Sequence, residues 1–234
     1  MNLSQYLENK KNAVTEKVRI LCVTCLQPQA TCYCAQIRKF DPRIEFIILI
    51  HPIEVRRRIA TGRMSHLCLE NSQLIMGHDY TDDSRVNAIL NDPSVHPLIL
   101  YPGKGSTNLT DLAFEQRGSF LSNGKRLAVF VIDGTWASAR KMVRLSRNLH
   151  GIQKICFTPP GPSNFRVRKQ PAPHCYSTLE AIHHTIELLG PARGFDPSLG
   201  QHNALIRVFD HMVEQQLEYI RLTHRVRTRS RHNG

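Results

Sequence analysis

No stretch of this chain stays apolar for the roughly 18 residues that a membrane-spanning helix needs, and its opening residues Met1-Asn2-Leu3-Ser4-Gln5-Tyr6-Leu7-Glu8 lack the hydrophobic region of a secretion signal. A cytoplasmic protein with no membrane partner is therefore expected. Acid is scarce: 19 Asp and Glu stand against 31 Lys and Arg, for a formal net charge of +12. Such a surface attracts polyanions, nucleic acid first. An anionic membrane is the weaker rival, because the basic residues are scattered over several elements and form no single amphipathic anchor. Cysteine is also sparse outside one short stretch. Cys68, Cys156 and Cys175 stand alone and read as small core residues. The other four crowd together as Cys22, Cys25, Cys32 and Cys34. In a reducing compartment that crowding favours metal thiolates over disulfides. The spacing C-x2-C-x6-C-x-C, with Pro28 in the intervening loop, lets four sulfurs converge tetrahedrally, so structural Zn²⁺ is the first expectation. An iron–sulfur cluster and reduced thiols are the alternatives.

The 234 residues, 41% of them hydrophobic, suffice for one α/β domain with a full core and a small appendage. No internal repeat is visible. Apolar runs at 44–50, 73–76, 98–101 and 127–132, with a fifth at 152–157, read as strands. Segments of helical length, including 54–70 and 82–90, separate them. Alternation of this kind predicts a mostly parallel sheet with flanking helices. A last helix is expected over 201–221, followed by a polar tail carrying Arg221, Arg225, Arg227, Arg229 and Arg231, disordered when free. The expected division is thus 1–40 for an N-terminal helix and zinc knuckle, 41–220 for the main domain, and 221–234 for the basic tail.

The run from 127 to 132 stops at Asp133-Gly134-Thr135-Trp136, which includes the protein's one tryptophan. A strand buried on both faces would put Asp133 at its carboxyl end, where ligand sites of open α/β sheets lie. A carboxylate there costs free energy unless it is paired or working. A plain strand-to-helix turn capped by Thr135 explains the same residues. Other strand ends also carry Pro or Gly beside polar groups, at His51-Pro52, Tyr101-Pro102-Gly103-Lys104-Gly105 and Thr158-Pro159-Pro160-Gly161-Pro162. Their recurrence points to a shared cleft. Ser177-Thr178-Leu179-Glu180 matches the S-x-x-E capping box of a helix ended by Gly190-Pro191. Capping alone accounts for Ser177 and Glu180, although the free amides of a helix start can also hold an anionic ligand group. On the helix after Trp136, helical spacing sets Arg140, Arg144 and Arg147 on one face and Met142, Leu145 and Leu149 on the other. The arginine stripe reads as a solvated face or as a phosphate track. Arg56, Arg57 and Arg58, with Arg166, Arg168 and Lys169, can extend such a track.

Taken in order, Cys22-x2-Cys25-x6-Cys32-x-Cys34, His51-Pro-x-Glu54, Thr61-Gly62-Arg63, Tyr101-Pro102, Asp133-Gly-Thr135-Trp136 and Ser177-Thr-Leu-Glu180 resemble the DTW-domain family, named for its D-x-T-W motif. The resemblance covers roughly residues 20–215 and is strongest to the bacterial tRNA-uridine aminocarboxypropyltransferases. It implies a SPOUT-like fold with a C-terminal trefoil knot. It also implies transfer of the 3-amino-3-carboxypropyl group of S-adenosylmethionine to N3 of a uridine, at position 47 of the tRNA variable loop. On this resemblance Asp133 is the catalytic candidate, as base or as orienter of N3. The cofactor candidates are Leu100, Tyr101, Pro102, Thr135, Trp136, Ser177, Thr178 and Glu180, and Trp136 is placed to stack on adenine or on a flipped uridine. The tRNA candidates are Arg140, Arg144, Arg147, Arg166, Arg168 and Lys169. A SPOUT-type RNA methyltransferase and a non-catalytic zinc-containing RNA-binding module remain the alternatives. A monomer is expected.

Overall fold

A computed structural model describes residues 20–55, 57, 59–121, 124–167 and 175–231, with side chains as far as 222 except at 120. Its centre is a six-stranded sheet in the order β2-β1-β5-β3-β6-β4. The strands are β1 (Glu45–Ile50), β2 (Ser72–Met76), β3 (Val95–Leu100), β4 (Thr107–Asn108), β5 (Arg126–Asp133) and β6 (Gln153–Cys156). Every pairing is parallel, so the loops that follow the strands gather at one end of the sheet. The five apolar runs became strands as expected. The two-residue β4 was missed because it is too short to show a period.

Helices cover both faces, as the unbroken apolar runs require. On one face Phe46, Ile48, Val129 and Val131 pack with Leu179, Ile182 and Ile186 of α6 (Thr178–Leu189) and Leu205, Val208 and Phe209 of α7 (Asn203–Arg231). Their strand neighbours Ile47, Leu49, Ala128 and Phe130 point the other way. They meet Val86 and Ile89 of α3 (Ser84–Leu90) and Met142 of α5 (Trp136–Leu145). Each such Val, Leu, Ile, Phe or Met side chain stabilises the fold by about 1.5–3 kcal/mol on burial. The cysteine segment is tied into the first of these cores, since Cys25 and Tyr33 belong to it. The remaining helices are α1 (Pro52–Val55), α2 (Thr61–Cys68) and α4 (Phe114–Phe120).

Three elements differ from expectation. The single helix expected over 54–70 is broken into α1 and α2, with Ala60 extended between them. Tertiary partners replace the internal bonds of a continuous helix: Arg63 Nη2 donates to the carbonyl of Val55 (3.1 Å), and the amide of Gly62 leaves for Asp133. The helix expected to stop at 221 continues to Arg231, through the residues expected to form a polar tail. Arginine and leucine are good helix formers, and the Glu218–Arg221 pair (3.6 Å) supports the extension. Arg147 falls outside α5, because Ser146 ends that helix and Arg147–Leu149 form a separate 3₁₀ turn. The expected three-arginine stripe is therefore a two-arginine stripe, Arg140 and Arg144. Nothing among the described residues shows the C-terminal knot, and residues 168–174 between β6 and α6 lie outside them.

Candidate active site

β5 lies between β1 and β3, so Asp133 emerges at the middle of the sheet's carboxyl end. It is buried. Its carbonyl accepts from the amide of His51 (2.9 Å), which locks the ends of β1 and β5 together. Its carboxylate is gripped from two sides. Oδ2 accepts from the amide of Gly62 at the start of α2 (3.2 Å), and Oδ1 accepts from Thr178 Oγ1 at the start of α6 (2.6 Å). Position 62 needs glycine for space, because a Cβ there would overlap Asp133 Oδ2. The carboxylate is thus aimed by the starts of two helices.

Around Asp133 opens a cavity of about 680 Å³. Of the expected cofactor contacts, Leu100, Tyr101, Pro102, Thr135, Trp136, Ser177 and Thr178 line it. Trp136 keeps 43% of its surface exposed, which leaves a ring face for a ligand. Thr135 caps α5, its Oγ1 accepting from the amide of Ser138 (3.1 Å). Ser177 caps α6 in the expected capping box. Glu180 is not on the cavity wall. Its carboxylate accepts from Ser163 Oγ (2.8 Å) and from the amides of Asn164 (2.8 Å) and Ser177 (2.8 Å), so it ties the loop after β6 to α6. Among the arginines, Arg140 lines the cavity and Arg144 lies exposed one turn further along α5. Arg166 is exposed on the loop after β6. Arg168, Lys169, Arg56 and Arg58 lie outside the described residues. Arg57 is paired with Glu54 at 3.3 Å and stays partly exposed.

Residues that sequence reasoning did not assign to the site complete the wall. Thr61 enters from α2, Cys156 from the end of β6, and Phe157, Pro159, Phe165, Cys175 and Tyr176 from the segment joining β6 to α6. Phe157 and Tyr176 form an aromatic pair with ring centroids 5.8 Å apart. Burial, with Glu180 nearby, pushes the Tyr176 phenol up, so it keeps its proton at neutral pH. Cys156 and Cys175 were expected in the core but stand half-buried on the cavity wall, whereas Cys68 is fully buried. Burial, then Asp111, raises the Cys156 thiol, which makes it a poor nucleophile at neutral pH. The Thr61-Gly62 pair was visible as a motif. Its pairing with Asp133, 71 positions away, was not.

The four N-terminal cysteines converge as their spacing predicts. Cys22 and Cys34 sulfurs lie 3.6 Å apart, as do those of Cys25 and Cys32, and all four are within 4.8 Å of one another. A tetrahedral zinc with sulfur at about 2.3 Å needs sulfur–sulfur separations of about 3.8 Å, so the set fits Zn²⁺. The turn is closed by Cys22 N to Gln27 O (2.8 Å) and Leu26 N to Cys22 O (2.9 Å), with Leu26 in the left-handed region at φ 57°. The amides of Cys25 and Thr24 hold the Cys22 thiol down at about 6, which supplies a thiolate at neutral pH. Four cysteine ligands leave no open position, so the site is structural.

A family model described as "DTW domain" matches residues 19–217. Among curated proteins, the chain is 26% identical to tRNA-uridine aminocarboxypropyltransferase 2 of Drosophila melanogaster over 204 residues, covering 84% of this chain and 75% of that protein. It is 26% identical to the Mus musculus protein of the same name, over 72% of this chain and 56% of that one. It is 25% identical to tRNA-uridine aminocarboxypropyltransferase A of Arabidopsis thaliana, over 87% and 83%. No solved structure matches. Among the described residues no helix is long and apolar enough to cross a membrane.

Proposed function

Because the chain belongs to the DTW-domain family, we propose that it is a tRNA-uridine aminocarboxypropyltransferase, and that the cavity at Asp133 is where the reaction occurs. The substrates are S-adenosylmethionine and a uridine of tRNA, with position 47 of the variable loop as the expected target. The enzyme acts as a monomer in the cytoplasm, on a SPOUT-related fold whose knot follows from the same resemblance. One observation carries the proposal. The aspartate of the D-x-T-W motif is buried, held by Gly62 and Thr178, and set into the wall of a cavity large enough for a nucleoside-sized ligand.

The sulfonium of S-adenosylmethionine is already a good leaving group, so the protein's work is placement and removal of one proton. A bond forms from uridine N3 to the γ-carbon, the carbon–sulfur bond breaks, methylthioadenosine departs and the N3 proton passes to solvent water. Asp133 accepts that N–H and orients N3 for in-line attack. Two donors already grip its carboxylate, which favours a group that keeps its charge and aims the substrate. α5 and α6 both begin at the cavity, and their free amides suit the carboxylate of the transferred chain. Trp136, with the Phe157–Tyr176 pair, supplies flat apolar surface for adenine and for a uridine turned out of its stack. Arg140 and Arg144 lead phosphates toward the cavity.

The test uses S-adenosylmethionine labelled either in the aminocarboxypropyl chain or in the methyl group, incubated with the protein and tRNA. The proposal expects label in tRNA from the first preparation alone. Label from the methyl preparation would make the protein a methyltransferase. Label from neither, with tRNA still bound, would make it a binding module.

A further inference from the structure

Away from the cleft, the corner between α6 and α7 gathers imidazoles around one carboxylate. His183 and Glu187 stand one turn apart on α6 and share a face. Gly190 ends the helix, and Gly194 and Gly200, at φ 79° and 66°, turn the chain so that His202 returns against that face. The His202 ring, 3% exposed, stacks on His183 with centroids 4.5 Å apart. Glu187 reaches both, with Oε1 3.6 Å from His202 Nε2 and Oε2 3.8 Å from His183 Nδ1. One ligand atom from each residue lies within 4.8 Å of the others.

Two details make this more than a polar corner. His183 Nε2 lies 3.0 Å from Asn203 Oδ1. As a donor to that acceptor it carries the ring proton, which leaves the Nδ1 lone pair on the Glu187 side, the arrangement of a metal-ligating histidine with its outer hydrogen bond. The second detail is an unsatisfied ring. His202 Nδ1 is buried without a hydrogen-bond partner, and Nε2 at 3.6 Å is too far from Glu187 for a good one. The nitrogen turned toward Glu187 is Nε2, so it is this atom, without a good hydrogen bond, that is open to a partner from outside, while Nδ1 on the other edge of the ring keeps no ligand role.

We propose that His183, Glu187 and His202 form a second metal site, separate from the four cysteines, for Zn²⁺ or another late first-row divalent ion. Two imidazoles and a carboxylate are a donor set that such ions prefer. Zinc bound to N and O ligands at about 2.0–2.2 Å needs them about 3.3 to 3.5 Å apart. The two histidine nitrogens lie 3.6 and 3.8 Å from different oxygens of Glu187, and one ligand atom from each residue falls within 4.8 Å of the others, so the triad contracts on binding. Glu187 is 41% exposed, which gives the ion a path from solvent and leaves a further position for water. His184 Nδ1, 2.8 Å from Glu187 Oε2, fixes the carboxylate from outside the triad. The ion clips the carboxyl end of α6 to the start of α7. The amino end of α6 carries Thr178 against Asp133, so the clip steadies the same helix that aims the catalytic carboxylate.

Metal content of the full chain, dialysed against buffered micromolar free Zn²⁺, tests the site without reference to activity. Wild type is expected to hold two equivalents. Glu187→Gln and His202→Ala are expected to hold one, while Cys32→Ser with Glu187→Gln holds none. Asn203→Ala keeps the triad but loses its outer hydrogen bond, and should weaken the second equivalent roughly 10- to 100-fold. Circular dichroism checks folding, and Glu187→Gln is the safer variant because its side chain faces solvent. One equivalent in wild type, or an unchanged count of two in Glu187→Gln, would overturn the proposal.

Discussion

The cysteine knuckle and the Asp133 cleft are built from opposite kinds of information. In the knuckle all four ligands fall between positions 22 and 34, and chain spacing alone brings the sulfurs within 4.8 Å. In the cleft, one carboxylate depends on a glycine amide 71 positions away and a hydroxyl 45 positions away, joined by the order of the strands. The knuckle is also closed, with every ligand position filled by sulfur, whereas the cleft is open with one exposed tryptophan at its mouth. The local constellation builds a closed site here, and the distributed one builds an open cavity. Variants that damage one region and spare the other test the contrast.

Asp133→Asn should have the largest effect, lowering transfer roughly 10²- to 10⁴-fold while the protein folds and keeps its zinc. The amide can still accept from Gly62 and donate to the Thr178 hydroxyl, so shape is kept and charge is lost. Single-turnover rates and metal content, measured on one preparation, separate the two regions. Gly62→Ala comes next. The added Cβ displaces Asp133, and overpacking of this kind costs about 1–3 kcal/mol, enough to outweigh the helix preference of alanine. Urea unfolding should show that loss, together with at least a tenfold slower transfer and unchanged zinc.

Cys32→Ser inverts the test. It should release the knuckle zinc and speed amide hydrogen exchange over residues 20–37, with transfer falling less than tenfold. A larger loss would mean that Cys25 and Tyr33, packed in the shared core, couple the knuckle to the cleft. The smallest effect is expected from Arg140→Gln with Arg144→Gln. S-adenosylmethionine binding should hold, while the salt dependence of tRNA binding flattens by about 0.7 to 0.9 per lost phosphate contact. Arg147→Gln should change that slope less, since Arg147 sits on a separate turn. An equal change from Arg147 would restore the three-arginine track.

The same contrast explains what was legible in the sequence. Strands buried on both faces read as continuous apolar runs, and the capping box at Ser177 and Glu180 is written in adjacent residues, so both were found. Asp133 was found because an acid ending such a run is conspicuous. Its partners were not, because hydrogen bonds across the sheet leave no spacing signal. Glu180 shows the limit from the other side. Its motif and its capping role were read from the sequence, but it is not on the cavity wall as the resemblance implied, and its carboxylate also anchors the loop at Ser163 and Asn164. The break between α1 and α2 escaped for a similar reason, as helical periodicity cannot register an amide drawn away to a distant carboxylate. The aromatic wall of Phe157, Phe165 and Tyr176 comes from an irregular segment in which no period marks which rings turn inward.

Aminocarboxypropyl transfer to a tRNA uridine is the reaction proposed for the Asp133 cleft. The most direct test is nucleoside mass spectrometry of unmodified tRNA incubated with S-adenosylmethionine and either wild type or Asp133→Asn, with methylthioadenosine followed in parallel. The account predicts a uridine heavier by one aminocarboxypropyl group, formed mole for mole with methylthioadenosine by wild type and lost at least a hundredfold in the variant. A methylated uridine, or full product from Asp133→Asn, would contradict it.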